Sequence, residues 1–93
     1  LELMQQVIIQ KNKINQVIAK IESYTKQLEA NNRLIKQTRS LVEAEKRLFS
    51  FGESSLFLVN YREQSFLKLL ENRASLEKKI NASIAELTFE SGI

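Results

Sequence analysis

The sequence predicts an all-α protein: a long antiparallel two-helix coiled-coil hairpin that is a fragment of a helical barrel. Three observations indicate this fold. The first 51 residues contain neither glycine nor proline, the two residues that most often interrupt a helix. Apolar residues recur at every seventh position, which is the period of helices that wind around one another. Gly52 then breaks the pattern and two serines follow closely, so the chain is expected to reverse direction there.

The first helix is predicted from about residue 3 to residue 51. One heptad position is apolar throughout: Val7, Ile14, Ile21, Leu28, Ile35, Val42 and Phe49. Its companion position turns polar at three successive sites: Asn31, Thr38 and Glu45. Three leucines on the other flank are expected to replace it: Leu34, Leu41 and Leu48. We therefore predict that the apolar face rotates along the helix, as in a helix that packs against more than one neighbour or bends around a barrel.

A turn is predicted at residues 52–54, followed by a second helix from about 55 to 90. Gly52 suits the left-handed position that ends many helices. Ser54 or Ser55 can cap the next helix by accepting a hydrogen bond from a free backbone N–H. A connection this short makes the two helices antiparallel neighbours. The second helix repeats a heptad line with one polar interruption: Val59, Phe66, Arg73, Ile80 and Leu87.

Composition argues against several classes of function. The chain has no cysteine and no histidine, and it has no glycine-rich phosphate loop, so we expect no enzyme activity, no metal and no cofactor. Its net charge is +3, with the excess of basic residues on the first helix. The aromatic residues do not alternate with these basic residues as a nucleic-acid platform would require, so we expect no nucleic-acid partner.

No apolar stretch approaches the roughly 20 residues that span a bilayer, so this segment is not expected to contact a membrane directly. The chain begins at Leu1 without an initiator methionine and without a signal peptide. We therefore expect the sequence to be a piece of a longer protein.

The predicted hairpin tip is unusually apolar for a turn, since such tips are normally polar. Exposed apolar tips are typical of surfaces that bind another protein. The candidate partner-binding residues are Phe49, Gly52, Glu53, Ser54, Ser55, Leu56 and Phe57. Phe49 and Val59 lie on the heptad lines, so an alternative is that these two side chains fold into the end of the helix–helix seam. Phe51, Leu56 and Phe57 cannot all be accommodated there.

Within Arg47–Glu63, an aromatic residue, two further residues, glycine, two further residues and serine occur as Phe49, Gly52 and Ser55. This pattern resembles the tip of TolC-like outer-membrane efflux proteins, in which it precedes a stretch often reading Asp-Val-Leu-Asp-Ala. Apolar residues here match part of that stretch. The resemblance covers roughly residues 10–93 and is most specific at the tip.

The resemblance implies that the chain is the second periplasmic helical hairpin of one protomer in a trimeric outer-membrane duct of Gram-negative bacteria. In such proteins the helices form a periplasmic α-barrel, and the hairpin tips close its inner end. The tips also dock the helical hairpin of a periplasmic adaptor (membrane fusion) protein. By this resemblance Gly52 and Ser55 lie in the adaptor-binding groove, with Phe49 nearby.

The sequence departs from the family at the aperture. Many relatives carry two acidic residues there, whereas this chain has Leu58 and Tyr61 at the possible aperture positions. Charge at the aperture would have to come from Glu53 or Glu63 instead. The alternative to an export duct is a generic coiled-coil module that oligomerises or serves as a scaffold.

Overall fold

The computed structural model describes residues 1–92 and confirms the helical hairpin. Helix α1 runs over Glu2–Ser50 and helix α2 over Leu56–Ser91. The helices are antiparallel, and the molecule measures 75 × 18 × 15 Å. The observed bounds differ from the predicted ones by a single residue at each end. At the turn this difference arises because Phe51 and Ser55 are the capping residues and not the last and first helical residues.

Helix α1 is longer than α2, with 49 residues against 36. The side-chain amide of Gln10 donates a hydrogen bond to the backbone carbonyl of Glu90. This contact marks the end of the paired region that is farthest from the turn. The first turns of α1 lie beyond it. Their apolar side chains are exposed: Leu3, Met4, Val7, Ile8 and Ile9.

The core is a narrow seam between the two helices, because two helices alone can cover only one stripe of each other. Five apolar side chains in it are buried: Val17, Ile35, Val42, Val59 and Leu76. The first three occupy heptad positions of α1, and the last two occupy those of α2. The regular seven-residue spacing therefore keeps α1 in one orientation against α2 from Val17 to the turn.

The seam with α2 does not follow the predicted rotation of the apolar face. Asn31 and Glu45 are buried and Thr38 is half-buried, so the polar companion positions stay in the seam. The three leucines expected to replace them remain exposed: Leu34, Leu41 and Leu48. The register is kept because the buried polar groups find partners on the turn and on α2. Hydrogen bonds to those partners offset the cost of removing the polar groups from water.

Asn31 makes two hydrogen bonds across the seam. Its side-chain amide donates to the backbone carbonyl of Leu69 at 2.9 Å, and its side-chain oxygen accepts from the amide of Asn72 at 2.8 Å. Within residues 1–92, no buried polar side-chain atom lacks a partner. A buried polar contact within a largely apolar seam favours one alignment of two helices over others. Asn31 therefore fixes how α1 and α2 are aligned along their length.

We expect Asn31→Ala to lower the free energy of unfolding by about 1–3 kcal/mol, because both cross-seam hydrogen bonds are lost and the Leu69 carbonyl loses its side-chain donor. Urea unfolding followed by circular dichroism measures this change. The control is Asn32→Ala, since Asn32 is the adjacent residue of the same type and is exposed. Equal effects of the two substitutions would contradict the role given to Asn31.

Two ion pairs mark the two open sides of the hairpin. Lys20 contacts Glu86 at 3.2 Å on one side, and Lys46 contacts Glu63 at 3.3 Å on the other. Lys20 comes immediately before a seam position of α1, and Lys46 comes immediately after one. The two lysines therefore lie on opposite flanks of the seam. All four side chains are roughly half-exposed, so each pair contributes at most about 1 kcal/mol.

Candidate functional site

The turn between the helices has the backbone geometry of a Schellman motif. The backbone N–H of Glu53 donates to the carbonyl of Leu48 at 2.8 Å, and that of Gly52 donates to the carbonyl of Phe49 at 3.0 Å. Gly52 has a φ of +77°, which side-chain-bearing residues rarely adopt. A Cβ atom at Gly52 would meet no atom within 4 Å. Glycine is therefore required here by the backbone conformation and not by a lack of space.

Ser55 caps the second helix, which resolves the choice between Ser54 and Ser55. Its hydroxyl oxygen accepts a hydrogen bond from the backbone N–H of Leu58 at 3.2 Å, as expected of a helix N-cap. Ser54 has a different contact: its hydroxyl donates to the carboxylate of Glu45 at 2.8 Å. Ser55 therefore caps the start of α2, whereas Ser54 contacts α1.

Glu45 joins both helices and the turn, and sequence reasoning did not identify it as part of the tip. One carboxylate oxygen accepts from Ser54, and the other accepts from the Nε of Arg62 at 3.3 Å. Glu45 is buried, whereas the Arg62 side chain is about one-third exposed. The available signal was a charged residue at a seam position, within two turns of the predicted helix end at residue 51. Such a residue is buried only if it is paired.

Large apolar side chains surround this turn and point into solvent. Phe51 is 76% exposed, Phe57 is 75% exposed and Leu56 is 58% exposed. Val59 is buried in the end of the seam, as the alternative for the heptad-line residues predicted, but Phe49 is nearly half-exposed. Phe49 is left outside because α1 ends one residue later and α2 only begins at Leu56.

The structure brings all the predicted tip residues together at one end of the molecule. Gly52, Glu53 and Ser55 are exposed there, and Ser54 is half-buried against Glu45. Exposed aromatic and aliphatic side chains next to these small polar residues form a surface that an apolar protein partner can cover. We call this surface the apolar tip: Phe49, Phe51, Leu56 and Phe57.

The possible aperture residues lie at the start of α2, just beyond the apolar tip. The side chains of Leu58 and Tyr61 are both exposed. Of the two acids that could supply charge, Glu63 forms its ion pair with Lys46, whereas the Glu53 side chain lies exposed on the turn itself.

An open groove of about 480 Å³ lies between the helices below the tip. On its walls the guanidinium of Arg39 lies over the ring of Phe66 at 5.4 Å, and Lys46 pairs with Glu63. The charged groups on the walls of this groove therefore already have partners within the chain: Arg39 has Phe66, and Lys46 has Glu63. Among the residues that the structure describes, none form a cluster of three potential metal ligands.

Within the described part of the chain, neither helix contains a stretch long and apolar enough to cross a membrane. The sequence matches no protein-family model and no curated protein, and the fold matches no solved structure. The function is therefore inferred from the residues of the chain and their geometry.

Proposed function

We propose that this chain is a periplasmic α-barrel hairpin of a trimeric, TolC-like outer-membrane export duct, and that its tip docks a periplasmic adaptor protein. In this role the hairpin is one wall element of a passive conduit and performs no chemistry. The tip pattern of Phe49, Gly52 and Ser55 supports the proposal. The observation that carries it is the exposure of Phe51, Leu56 and Phe57 around a turn of defined geometry.

The rigidity of the tip favours a docking role. The Schellman hydrogen bonds, the Ser55 cap and the Glu45 contacts with Ser54 and Arg62 hold the turn in one conformation. A surface that is already ordered loses less conformational entropy when a partner binds. Aromatic side chains also have few rotatable bonds and supply much of the binding energy in protein interfaces. Phe51 and Phe57 are aromatic, and both lie at this ordered turn.

In the proposed duct, Leu58 and Tyr61 would give the aperture an apolar and aromatic lining in place of a ring of acids. Glu53, exposed at the turn, is then the nearest acid to supply charge. Glu63 is a poorer candidate because it is engaged with Lys46. The proposed location of the hairpin is the periplasm, with no direct membrane contact and no nucleic-acid partner.

We expect Phe57→Ser to weaken adaptor binding by roughly 30-fold or more, as for an aromatic residue near the centre of an interface. Binding is measured by biolayer interferometry with purified adaptor proteins encoded beside TolC-like ducts. The matched control is Phe89→Ser. Phe89 is on the same helix and is similarly exposed, at 83% against 75% for Phe57, but it lies at the opposite end of α2.

Circular dichroism of both variants is expected to match that of the native chain, because neither side chain is buried. Equal loss of binding in the two variants would contradict docking at the tip. Failure of the native chain to bind any adaptor of the panel would contradict the proposed partner.

A generic coiled-coil oligomerisation or scaffold module is the second candidate. The exposed leucines of α1 favour it, because they form an apolar stripe that α2 does not cover. Under this alternative, substitutions in the stripe alter assembly, whereas tip substitutions such as Phe57→Ser leave every interaction of the chain unchanged.

A further inference from the structure

One charged residue in the seam has no partner in the chain. Arg73 interrupts the heptad line of α2, as Asn31 and Glu45 interrupt the companion line of α1. Asn31 and Glu45 both have hydrogen-bond partners. Within residues 1–92, however, Arg62 is the only arginine whose guanidinium donates a hydrogen bond or forms an ion pair. Arg73 is half-buried, and a charge in such a position is normally paired.

Arg73 lines a second open groove between the helices, with a volume of about 390 Å³. Arg39 lines both this groove and the larger one below the tip, so the two grooves lie on the same open side of the hairpin. We call the second one the middle groove. Its lining residues come from both helices: Asn32, Ile35, Lys36, Arg39, Arg73 and Glu77.

The middle groove is positively charged. Three of its lining residues are cations and one, Glu77, is an acid, which leaves a formal charge of +2. Glu77 lies one turn from Arg73 on α2, but in the described part of the chain neither Glu77 nor Lys36 takes part in an ion pair. Cations that converge without acids repel one another, and an anion placed among them would relieve this repulsion.

Arg39 is restrained in a way that leaves its N–H groups free. Its guanidinium lies over the ring of Phe66 at 5.4 Å, and such a contact uses the charge of the group but none of its hydrogen-bond donors. Arg73 likewise keeps its donors, since it has no acceptor among the described residues. A guanidinium presents its N–H groups as a planar fork that matches paired oxygens of a phosphate or a carboxylate.

We propose that the middle groove binds a compact oxyanion that carries more than one negative charge on phosphate or carboxylate groups. Arg39 of α1 and Arg73 of α2 donate hydrogen bonds to its oxygens, and Lys36 adds a third positive charge from α1. The ligand therefore contacts both helices, and it supplies the partner that Arg73 lacks within the chain.

Neighbouring acids limit the length of this ligand. Glu29 and Glu43 lie one heptad before and one heptad after Lys36 on the same face of α1. A heptad of helix is roughly 10 Å long, so an anion that extends far beyond the groove would meet these carboxylates. Extended polyanions such as nucleic acids need a continuous track of cations, which this face does not offer. The groove thus suits a small anion.

The site does not depend on the export-duct proposal, because a single chain forms it and the apolar tip takes no part. Binding of the anion is measured on the hairpin alone, without an adaptor. Loss of adaptor binding and loss of anion binding are therefore separate results, and either proposal can fail while the other holds.

The direct test is a titration of the native chain with sodium pyrophosphate at constant ionic strength, followed by NMR spectroscopy of the arginine Nε–H groups. We expect saturable shifts for Arg39 and Arg73, with half-saturation at about 1 mM or below. Citrate is the carboxylate probe in a second titration. Saturation by either probe supports the site and shows which oxyanion it prefers. Saturation by neither probe overturns the proposal.

Two substitutions remove one cation each from the groove. Lys36→Gln and Arg73→Gln are each expected to weaken binding roughly tenfold, as for the loss of a charge-assisted contact. Lys36 is exposed, so its substitution should leave the circular dichroism spectrum unchanged even if that of Arg73 does not. The matched control is Lys26→Gln, which removes the same charge from an exposed site of α1 outside the groove.

A third substitution should strengthen binding. Glu77→Gln removes the acid from the groove and is expected to tighten binding several-fold. Glu71→Gln makes the same change of net charge at an exposed site of α2 outside the groove, and it should have little effect. The proposal is overturned if Lys36→Gln and Lys26→Gln weaken binding equally, or if Glu77→Gln binds no more tightly than Glu71→Gln. Either result would indicate general attraction to a basic chain.

Discussion

Replacing Ile35 by alanine should lower the free energy of unfolding by about 2–5 kcal/mol, the usual range for truncating a buried aliphatic side chain. Ile35 is 4% exposed and lies in the middle of the α1–α2 seam, where only two helices are available to close the cavity. The adjacent Leu34 is 48% exposed. We expect Leu34→Ala to change the free energy of unfolding by less than about 1 kcal/mol.

These two variants form a matched pair, because the substitutions are similar and the positions are neighbours. Urea unfolding should be measured at low protein concentration, so that self-association does not add to the effect of Leu34→Ala. A larger loss for Leu34 than for Ile35 would show that the apolar face of α1 does rotate toward α2 after Asn31, against the register seen here.

The second large effect is expected at Glu45. Glu45→Ala removes the acceptor for both Ser54 and Arg62, and it leaves the guanidinium of Arg62, which is only about one-third exposed, without its partner. We expect a loss of about 1–3 kcal/mol of unfolding free energy, typical for hydrogen bonds to a charged group. Thermal unfolding followed by circular dichroism measures it.

Glu43→Ala is the control for Glu45, because Glu43 is two residues earlier on the same helix and is exposed. Glu45→Gln keeps an oxygen that can accept from Ser54 but removes the charge that faces Arg62, so its effect should be intermediate. If Glu45→Ala and Glu43→Ala had the same stability, the contacts of Glu45 would contribute nothing to the turn.

The fold and the helix bounds could be predicted from the sequence because each follows from a local signal. The seven-residue spacing indicates two helices in contact, and the single Gly52 between two long glycine-free segments indicates one turn. Exposure at the tip was also predictable, since Phe51, Leu56 and Phe57 outnumber the places that a two-helix seam offers. The binding role given to these residues stays a prediction.

The seam register was not predictable from polarity alone. A polar residue at a heptad position indicates an exposed site unless its partner is known. The partner of Asn31 is Asn72, 41 residues later, and that of Glu45 is Arg62, 17 residues later. Nothing in the local pattern links these residues. The uncovered stripe of leucines on α1 became recognisable only when burial showed that these leucines face away from α2.

The cross-seam contacts have a mechanical consequence for the hairpin. They occur near the open end, in the middle and near the turn of the hairpin: Gln10 with Glu90, Asn31 with Asn72, and Glu45 with Arg62. Sliding one helix along the other would break all three together, so the paired parts of the two helices should move as one stiff rod. A small tilt imposed at the open end of the hairpin would then become a lateral displacement of several ångströms at the turn. Any opening or closing of an assembly of these rods should occur between neighbouring hairpins, with each hairpin keeping its internal geometry.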